Sequence, residues 1–153
     1  MPTIQNQLDD AENQITNAFR RLFPELSKKL IEEQQQRILT RTADGEDFEG
    51  KQFAEYRPLT IDKRKERGLV THKVNLRFRD KMLNSIRPMF SGSDFAVVAS
   101  LVFSGDAFNE EKAYQIQQGI GMEPRRFFDV SDSDMDTATE TAEQMTDSMI
   151  GAI

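Results

Sequence analysis

An apolar stripe at helical spacing constrains this chain more than any other feature of its sequence. Its members recur every three, four or seven positions: Ile4, Leu8, Ile15, Phe19, Leu22, Leu26 and Leu30. This spacing places them on one face of an α-helix, so residues 3–40 are predicted to be helical. Pro24 lacks an amide proton and clashes with the preceding turn. We therefore expect a break near Phe23 and a second helix from Pro24 to about Thr40.

Residues 42–75 are charged and rich in glycine, so they favour little regular structure. One short helix is expected there, from Thr60 to Glu66, with Thr60 as its cap and Gly68 as its stop. Loops longer than a compact domain needs are usually functional or partly disordered. We expect this segment to be an extended arm that becomes ordered against a neighbour.

Three later segments are predicted to be strands. His72–Arg79 alternates apolar and polar residues, the period of a half-buried strand. Phe95–Phe103 is apolar on both faces, which is typical of a central strand. Arg126–Val130 is a third, short candidate.

Three later segments are predicted to be helices. A short helix at Asp80–Ile86 ends before Pro88, and Glu110–Gln118 ends at Gly119. Ser131–Ile153 carries apolar residues at spacings of three and four.

The expected fold is α+β: a small antiparallel β-sheet flanked by helices, in a single domain of residues 1–153. Its parts are N-terminal helices over 3–40, the extended loop or arm over 42–75, a sheet core with short helices over 72–131, and a C-terminal helix over 132–153.

Charge is unevenly distributed along the chain. The net charge is −6, but residues 20–90 carry +6, residues 91–153 carry −9 and residues 1–19 carry −3. Such polarity suits head-to-tail contacts between copies in a ring. The alternative is that these charges simply solvate exposed faces.

Several classes of protein are disfavoured by composition. There is no apolar run long enough for a membrane span, and no cysteine for a disulfide, a thiol nucleophile or a thiolate metal site. The first residues lack the basic start and apolar stretch of a signal peptide, so a cytoplasmic origin is expected.

No catalytic, metal or cofactor site is expected. The only histidine, His72, has no predicted orienting carboxylate or nucleophile beside it. Asp132, Asp134, Asp136 and Glu143 fall on positions 1, 3, 5 and 12 of a calcium-binding EF-hand loop. Position 6 is Thr137 instead of glycine, so a charged helix N-terminus explains these acids more simply.

A basic segment is the main alternative to a purely structural interpretation. Its cations are Arg57, Lys63, Arg64, Lys65, Arg67, Lys73, Arg77, Arg79 and Lys81. Such a cluster suits nucleic-acid phosphates. However, Asp62, Glu66 and Asp80 are interleaved with it, and the pI of the chain is about 4.9. Contacts with proteins are therefore favoured over contacts with DNA.

Ten residues are predicted to contact another subunit or a partner. They lie in the charged loop and at the end of the last helix: Phe53, Tyr56, Arg57, Lys63, Arg64, Lys65, Arg67, Met149, Ile150 and Ile153. Methionine adapts to irregular surfaces, which suits such a contact at the last helix.

The order of four segments resembles the virion-morphogenesis family of tailed phages, the tail-completion or neck proteins of the head–tail junction. The first runs from Asp44 through Tyr56 to Gly68, and the second is Val74–Ile86. The others are Ala113–Gly119 and Pro124–Phe128. The sequence departs from the family pattern at Arg79-Asp80 and at Gln117.

This resemblance implies a non-enzymatic virion protein, assembled in the host cytoplasm, that acts at the head–tail junction. It implies a homo-oligomeric ring, for which a hexamer is one candidate, and contacts with neighbouring neck, connector or tail-terminator proteins. Passive contact with DNA in the lumen is compatible with it. The alternative function is a DNA-binding phage accessory protein that uses the basic segment 57–81.

Overall fold

The α+β class is confirmed. The computed structural model describes residues 1, 3–76, 81–105 and 107–152. These residues form five helices and a two-stranded antiparallel sheet. The elements in chain order are α1 (Ile4–Asp44), α2 (Pro58–Glu66), α3 (Lys81–Asn84), β1 (Ile86–Ser91), β2 (Val98–Phe103), α4 (Ala107–Gln118) and α5 (Asp132–Ala152).

Helix α1 is continuous over 41 residues, so the predicted break near Phe23 is wrong. Pro24 and Arg20 are both exposed, so water can bond the Arg20 carbonyl that the proline leaves without its helical donor. Helix α5 also supports α1 on both sides of the proline. Met145 lines a cavity together with Leu22, and Thr141 donates a hydrogen bond to Glu33 at 3.3 Å. Gly45, in a left-handed conformation at φ 83°, ends the helix.

A buried ion cluster attaches the start of α5 to α1. Asp134 is only 4% exposed. Its two carboxylate oxygens accept hydrogen bonds from the Arg41 guanidinium at 2.9 and 3.2 Å, and Gln34 donates at 3.2 Å. Arg37 adds an ion pair at 3.5 Å. Asp134 and Ser131 also exchange amide-to-side-chain hydrogen bonds, both at 3.1 Å, as in a capping box.

The pKa of Asp134 lies below its ordinary value. Burial raises this pKa, but hydrogen bonds from the Ser131 amide, Gln34 and Arg41, with the positive charge of Arg41, lower it by more. The cluster is therefore most stable when Asp134 is ionised.

The core lies where the hairpin, α3, α4 and the loop before α5 meet α1. Its buried members are Ile38, Phe53, Val74, Met82, Leu83, Ile86, Ala113, Ile116 and Phe127. Ile86 is fully buried, and its carbonyl accepts a hydrogen bond from Gln35 of α1 at 2.9 Å. This bond fixes the hairpin on the helix.

The predicted central strand is only partly correct. Strand β2 covers Val98–Phe103 of the predicted Phe95–Phe103, and among the described residues it pairs with β1 alone. It is apolar on both faces because it contacts both α1 and α4. Strand β1 was not predicted, because Pro88 lies inside it, opposite Leu101. Proline is tolerated at a sheet edge, where its missing amide proton breaks no ladder.

The two other predicted strands are wrong in the described residues. In His72–Arg79, the described part up to Leu76 is irregular, since Leu76 adopts φ 55° and the Asn75 side chain bonds Arg64 at 3.0 Å. Arg77–Arg79 lie outside the described residues. The segment Arg126–Val130 is also irregular: the Arg126 carbonyl accepts from the Phe48 amide, and the Phe128 amide donates to the Gln117 side chain.

The helices predicted after α1 are confirmed, in part or over their full length. Helix α2 begins at Pro58 with Arg57 as its cap, so Thr60 is not the cap. Helix α3 occupies part of Asp80–Ile86, where Asp80 lies outside the described residues. Helices α4 and α5 confirm the predicted elements Glu110–Gln118 and Ser131–Ile153 as far as Ala152.

Segment 42–75 packs on its own chain instead of extending as an arm. Phe53 is 8% exposed in the core, and its amide donates to the Gly45 carbonyl at 2.8 Å. Glu46 and Gln52 form an isolated antiparallel bridge. The segment is thus tied to the C-terminal end of α1.

Replacing Asp134 by asparagine should destabilise the fold, because Arg41 would lose its buried counter-ion. Removing one partner of a buried pair typically costs about 3–5 kcal/mol. Because the pKa of Asp134 is depressed, its contribution is complete above its unfolded pKa of about 3.9 and is lost as pH falls through the folded pKa.

Urea unfolding followed by circular dichroism at neutral and acidic pH measures this effect. The difference in free energy of unfolding between wild type and Asp134→Asn should shrink below about pH 4. Asp136→Asn changes an exposed acid on the same helix and is the matched control. Equal stabilities of Asp134→Asn and the control at neutral pH would contradict the role of the cluster.

Candidate assembly surface

The first turns of α1 extend beyond the rest of the molecule. Residues 4–17 form what we call the α1 arm. Ile4, Leu8 and Ile15 are 77%, 59% and 45% exposed, although they belong to the same stripe as the buried Leu22. The C-terminal end of α5, at Ala152, lies beside Ala18. The described part of α5 lies against α1 from Ala18 onward, whereas the stripe is exposed in the arm.

The arm is acidic as well as apolar. It holds Asp9, Asp10 and Glu12 and no lysine or arginine. A helix turns about 100° per residue, so Ile4, Leu8 and Ile15 share a stripe about 40° wide. The same geometry places Glu12 at one edge of this stripe and Asp9 further round the same side. The apolar face is therefore bordered by negative charge.

A groove of opposite charge lies near the other end of α1. We call it the Tyr56 groove; its volume is about 410 Å³. Its apolar lining is Tyr56, Leu59, Leu76, Ile116 and Met122. Its charged lining consists of Arg57, Arg64, Lys112, Arg125, Glu55 and Glu123, a net charge of +2.

Two arginines build the wall of this groove around Tyr56. The guanidinium carbons of Arg64 and Arg125 lie 4.6 and 5.5 Å from the centroid of the Tyr56 ring, a cation–π arrangement. Arg64 donates to the Val70 carbonyl at 2.8 Å, and Arg125 donates to the Ala54 carbonyl at 3.1 Å. These arginines therefore hold segments 54–56 and 70–75 together.

Two polar atoms of the wall are buried without a hydrogen-bond partner, the Tyr56 hydroxyl and the Arg125 Nε. Burial also lowers the pKa of Arg125 from its ordinary value, although the charges of Tyr56 and Glu123 oppose this. Burial of these two polar atoms costs free energy of folding, which the apolar packing of Tyr56 against the core must offset.

The predicted contact residues divide into three groups. Phe53 and Arg64 are buried, so they are corrected from contact residues to supports of the fold. Tyr56 is half-buried in the groove wall. The exposed cations are Arg57, Lys63, Lys65 and Arg67, on α2 and at its two ends.

The predicted contacts of the last helix are also separated by the structure. Met149 is half-buried and lines a cavity against α1, whereas Ile150 is 58% exposed. Ile153 lies outside the described residues. Periodicity does not predict the α1 arm, because it shows which residues share a face but not whether that face is covered. The available signal was the purely acidic charge of residues 1–19.

The remaining sequence candidates are His72 and the acids at the start of α5. His72 is exposed on a bend, and Asp134 is engaged by Arg41 while Asp132 and Asp136 are exposed. In the described residues, no group of three or more histidine, cysteine, aspartate or glutamate side chains is placed to hold a metal ion. Nor does any described helix combine the length and apolarity that crossing a membrane requires.

No protein-family model, no curated protein and no solved structure matches this chain. The arm and the groove are therefore interpreted from their own chemistry.

Tyr56→Phe should leave the fold equally stable or stabilise it by up to about 1 kcal/mol, because it removes a buried hydroxyl that has no partner. Arg64→Lys should destabilise it by about 2 kcal/mol, because lysine cannot reproduce both the stacking and the planar set of hydrogen bonds. Chemical denaturation measures both changes, and Lys65→Arg at an exposed position is the control. A clear loss of stability in Tyr56→Phe would show that the hydroxyl is bonded.

Proposed function

We propose that this chain is a structural component of a tailed-phage virion, a tail-completion or neck protein that acts at the head–tail junction. It works by ring assembly and protein–protein contacts, without bond chemistry. Support comes from the resemblance of four ordered segments and from the amount and character of the surface that the single chain leaves exposed.

Surface area is the observation that carries the proposal. The chain exposes 10292 Å². A compact monomer of 17.6 kDa is expected to expose about 7,900 Å². The excess of roughly 2,400 Å² exceeds the about 800 Å² that each partner buries in a standard interface, so it accommodates the two faces that each ring subunit needs.

The character of this surface also favours assembly. The apolar, acidic α1 arm and the cationic Tyr56 groove are unlike each other. Ile15 lies in the arm, whereas Tyr56 of the groove packs against the core that contains Ile38 of α1. These two positions on α1 are 23 residues apart, about 35 Å along the helix. Two unlike surfaces at opposite ends favour a head-to-tail association, which closes into a ring when the rotation between copies allows it.

Contacts with neighbouring neck, connector or tail-terminator proteins are part of the same proposal. The exposed side chains of the hairpin, Met89, Phe90, Phe95 and Val98, offer a further apolar surface for such a partner. Phe95 of this surface packs edge-on against Phe23 of α1, with 5.8 Å between the ring centroids, so the surface adjoins the base of the arm.

Deleting the gene from its phage or prophage should leave full heads and complete tails unjoined, because neither would carry the completed interface. Electron microscopy of lysates counts joined particles, and expression of the wild-type chain in trans should restore them. Size-exclusion chromatography with light scattering, alone and with the adjacent neck protein, tests the contact directly. Joined particles at wild-type numbers without the chain would overturn the proposal.

A second candidate function is DNA binding by the basic segment. It is favoured by four exposed cations, Arg57, Lys63, Lys65 and Arg67. It is opposed by the burial of Arg64 and by the net charge of −6. The two functions differ in salt dependence, because phosphate contacts release counter-ions.

A gel-shift titration against duplex DNA distinguishes these functions. The structural role predicts no shift at physiological salt. DNA binding predicts a shift whose affinity falls steeply with salt and is abolished by Lys63→Glu with Lys65→Glu. Exchanging the exposed Lys28 and Lys51 for glutamate changes the net charge by the same amount outside the basic segment and is the control.

A further inference from the structure

We propose that the α1 arm of one copy docks in the Tyr56 groove of the next copy, so that the chain associates head to tail. This inference rests on the proposed function, for which it supplies the contact between neighbouring subunits. Its occupant is a second copy of this chain, and three observations lead to it.

The first observation is the match of apolar surfaces. The arm presents Leu8 and Ile15 two helical turns apart, with Ile4 one turn earlier, and all three are exposed. Binding of an amphipathic helix in a groove uses anchors at this spacing. The groove offers an apolar lining that includes Leu59, itself 66% exposed. Both apolar surfaces are thus exposed in the single chain, and each can be buried against the other.

The second observation is charge. All charged side chains of the arm are acids, whereas the groove carries a net charge of +2 and continues into the exposed Lys63 and Lys65 of α2. With Leu8 and Ile15 in the groove, Glu12 lies at the edge of the contact, where the exposed Arg57 is available. Complementary rims of this kind orient the partners and speed their encounter.

The third observation is distance. A single helix separates the arm from the groove of its own copy, so a chain cannot fill its own groove while α1 stays intact. Docking therefore joins different copies. It leaves each copy with one arm used and one groove filled, and the next copy adds in the same sense.

An arm-to-arm coiled coil is the competing arrangement. It would also cover Ile4, Leu8 and Ile15. However, it would bring two helices together that each carry three acids and no lysine or arginine, and like charges across a helix pair are unfavourable. The charges therefore favour the groove over a second arm.

The test uses two variants that change exposed side chains only, so that folding is preserved. The arm variant is Leu8→Ser with Ile15→Ser, and the groove variant is Leu59→Ser with Arg57→Glu. A matched control, Met135→Ser with Lys28→Glu, removes one exposed apolar side chain and one exposed cation elsewhere. Sedimentation velocity and native mass spectrometry report the assembly state, and circular dichroism confirms that each variant is folded.

Wild type and control should assemble with increasing concentration, and each variant alone should remain monomeric. A mixture of the two variants should form a 1:1 dimer and nothing larger, because one intact arm then meets one intact groove. Raising the salt concentration should weaken wild-type assembly.

Assembly of the groove variant to the wild-type extent would indicate the coiled coil and overturn the inference. So would a mixture that stays monomeric, or a wild-type chain that stays monomeric at its highest soluble concentration. A monomeric wild type that still binds the adjacent neck protein would refute this contact but not the proposed function, so the two failures are distinguishable.

Discussion

The ion cluster around Asp134 determines which part of α1 is covered. Because Arg41 and Gln34 hold Asp134, α5 starts opposite the last turns of α1 and runs back along it. From Asp134, the described part of α5 runs along α1 as far as Ala18. Ile4, Leu8 and Ile15, which precede Ala18, are exposed. The position of one carboxylate thus sets which part of α1 lies against the described residues of α5.

Two arginines that line the groove are held by contacts within their own chain, as Asp134 is. Arg64 and Arg125 each use their planar guanidinium group to bond backbone carbonyls and to lie against the Tyr56 ring. Arginine suits this role because it combines flat stacking with several fixed donors. Exposed cations that a partner could contact are Arg57, Lys63 and Lys65, on or beside α2. Two of the four cations that line the groove, Arg64 and Arg125, therefore stabilise the fold.

Helices were predictable from this sequence, and the sheet was less so, for identifiable reasons. The stripe of α1, the glycine after α4 and the spacing of α5 are local signals, and they predict those helices correctly. The break at Pro24 was wrong because exposure lets water bond the freed carbonyl and because α5 supports both sides. Strand β1 was missed because Pro88 suggests an end to structure, whereas an edge strand tolerates it.

Contacts between distant segments could not be read from local patterns. Arg64 looked like one member of a basic cluster, and only the approach of Val70 and Asn75 shows it to be an internal brace. Likewise, Ile4 and Leu8 continue the stripe of the buried Leu22, but the spacing does not show that they are exposed.

Apolar and charged residues would have different effects in the proposed contact. Apolar side chains such as Leu8 and Leu59 would supply most of the affinity, because their burial removes surface from water. Charges such as those of Glu12 and Arg57 would set direction and partner, because exposed ion pairs add little affinity but disfavour like-charged approaches. A chain with a net charge of −6 repels its own copies in most orientations. In the proposed contact, an orientation that sets the acidic arm against the cationic groove would turn this repulsion into attraction, so the uneven distribution of charge along the sequence would favour head-to-tail order.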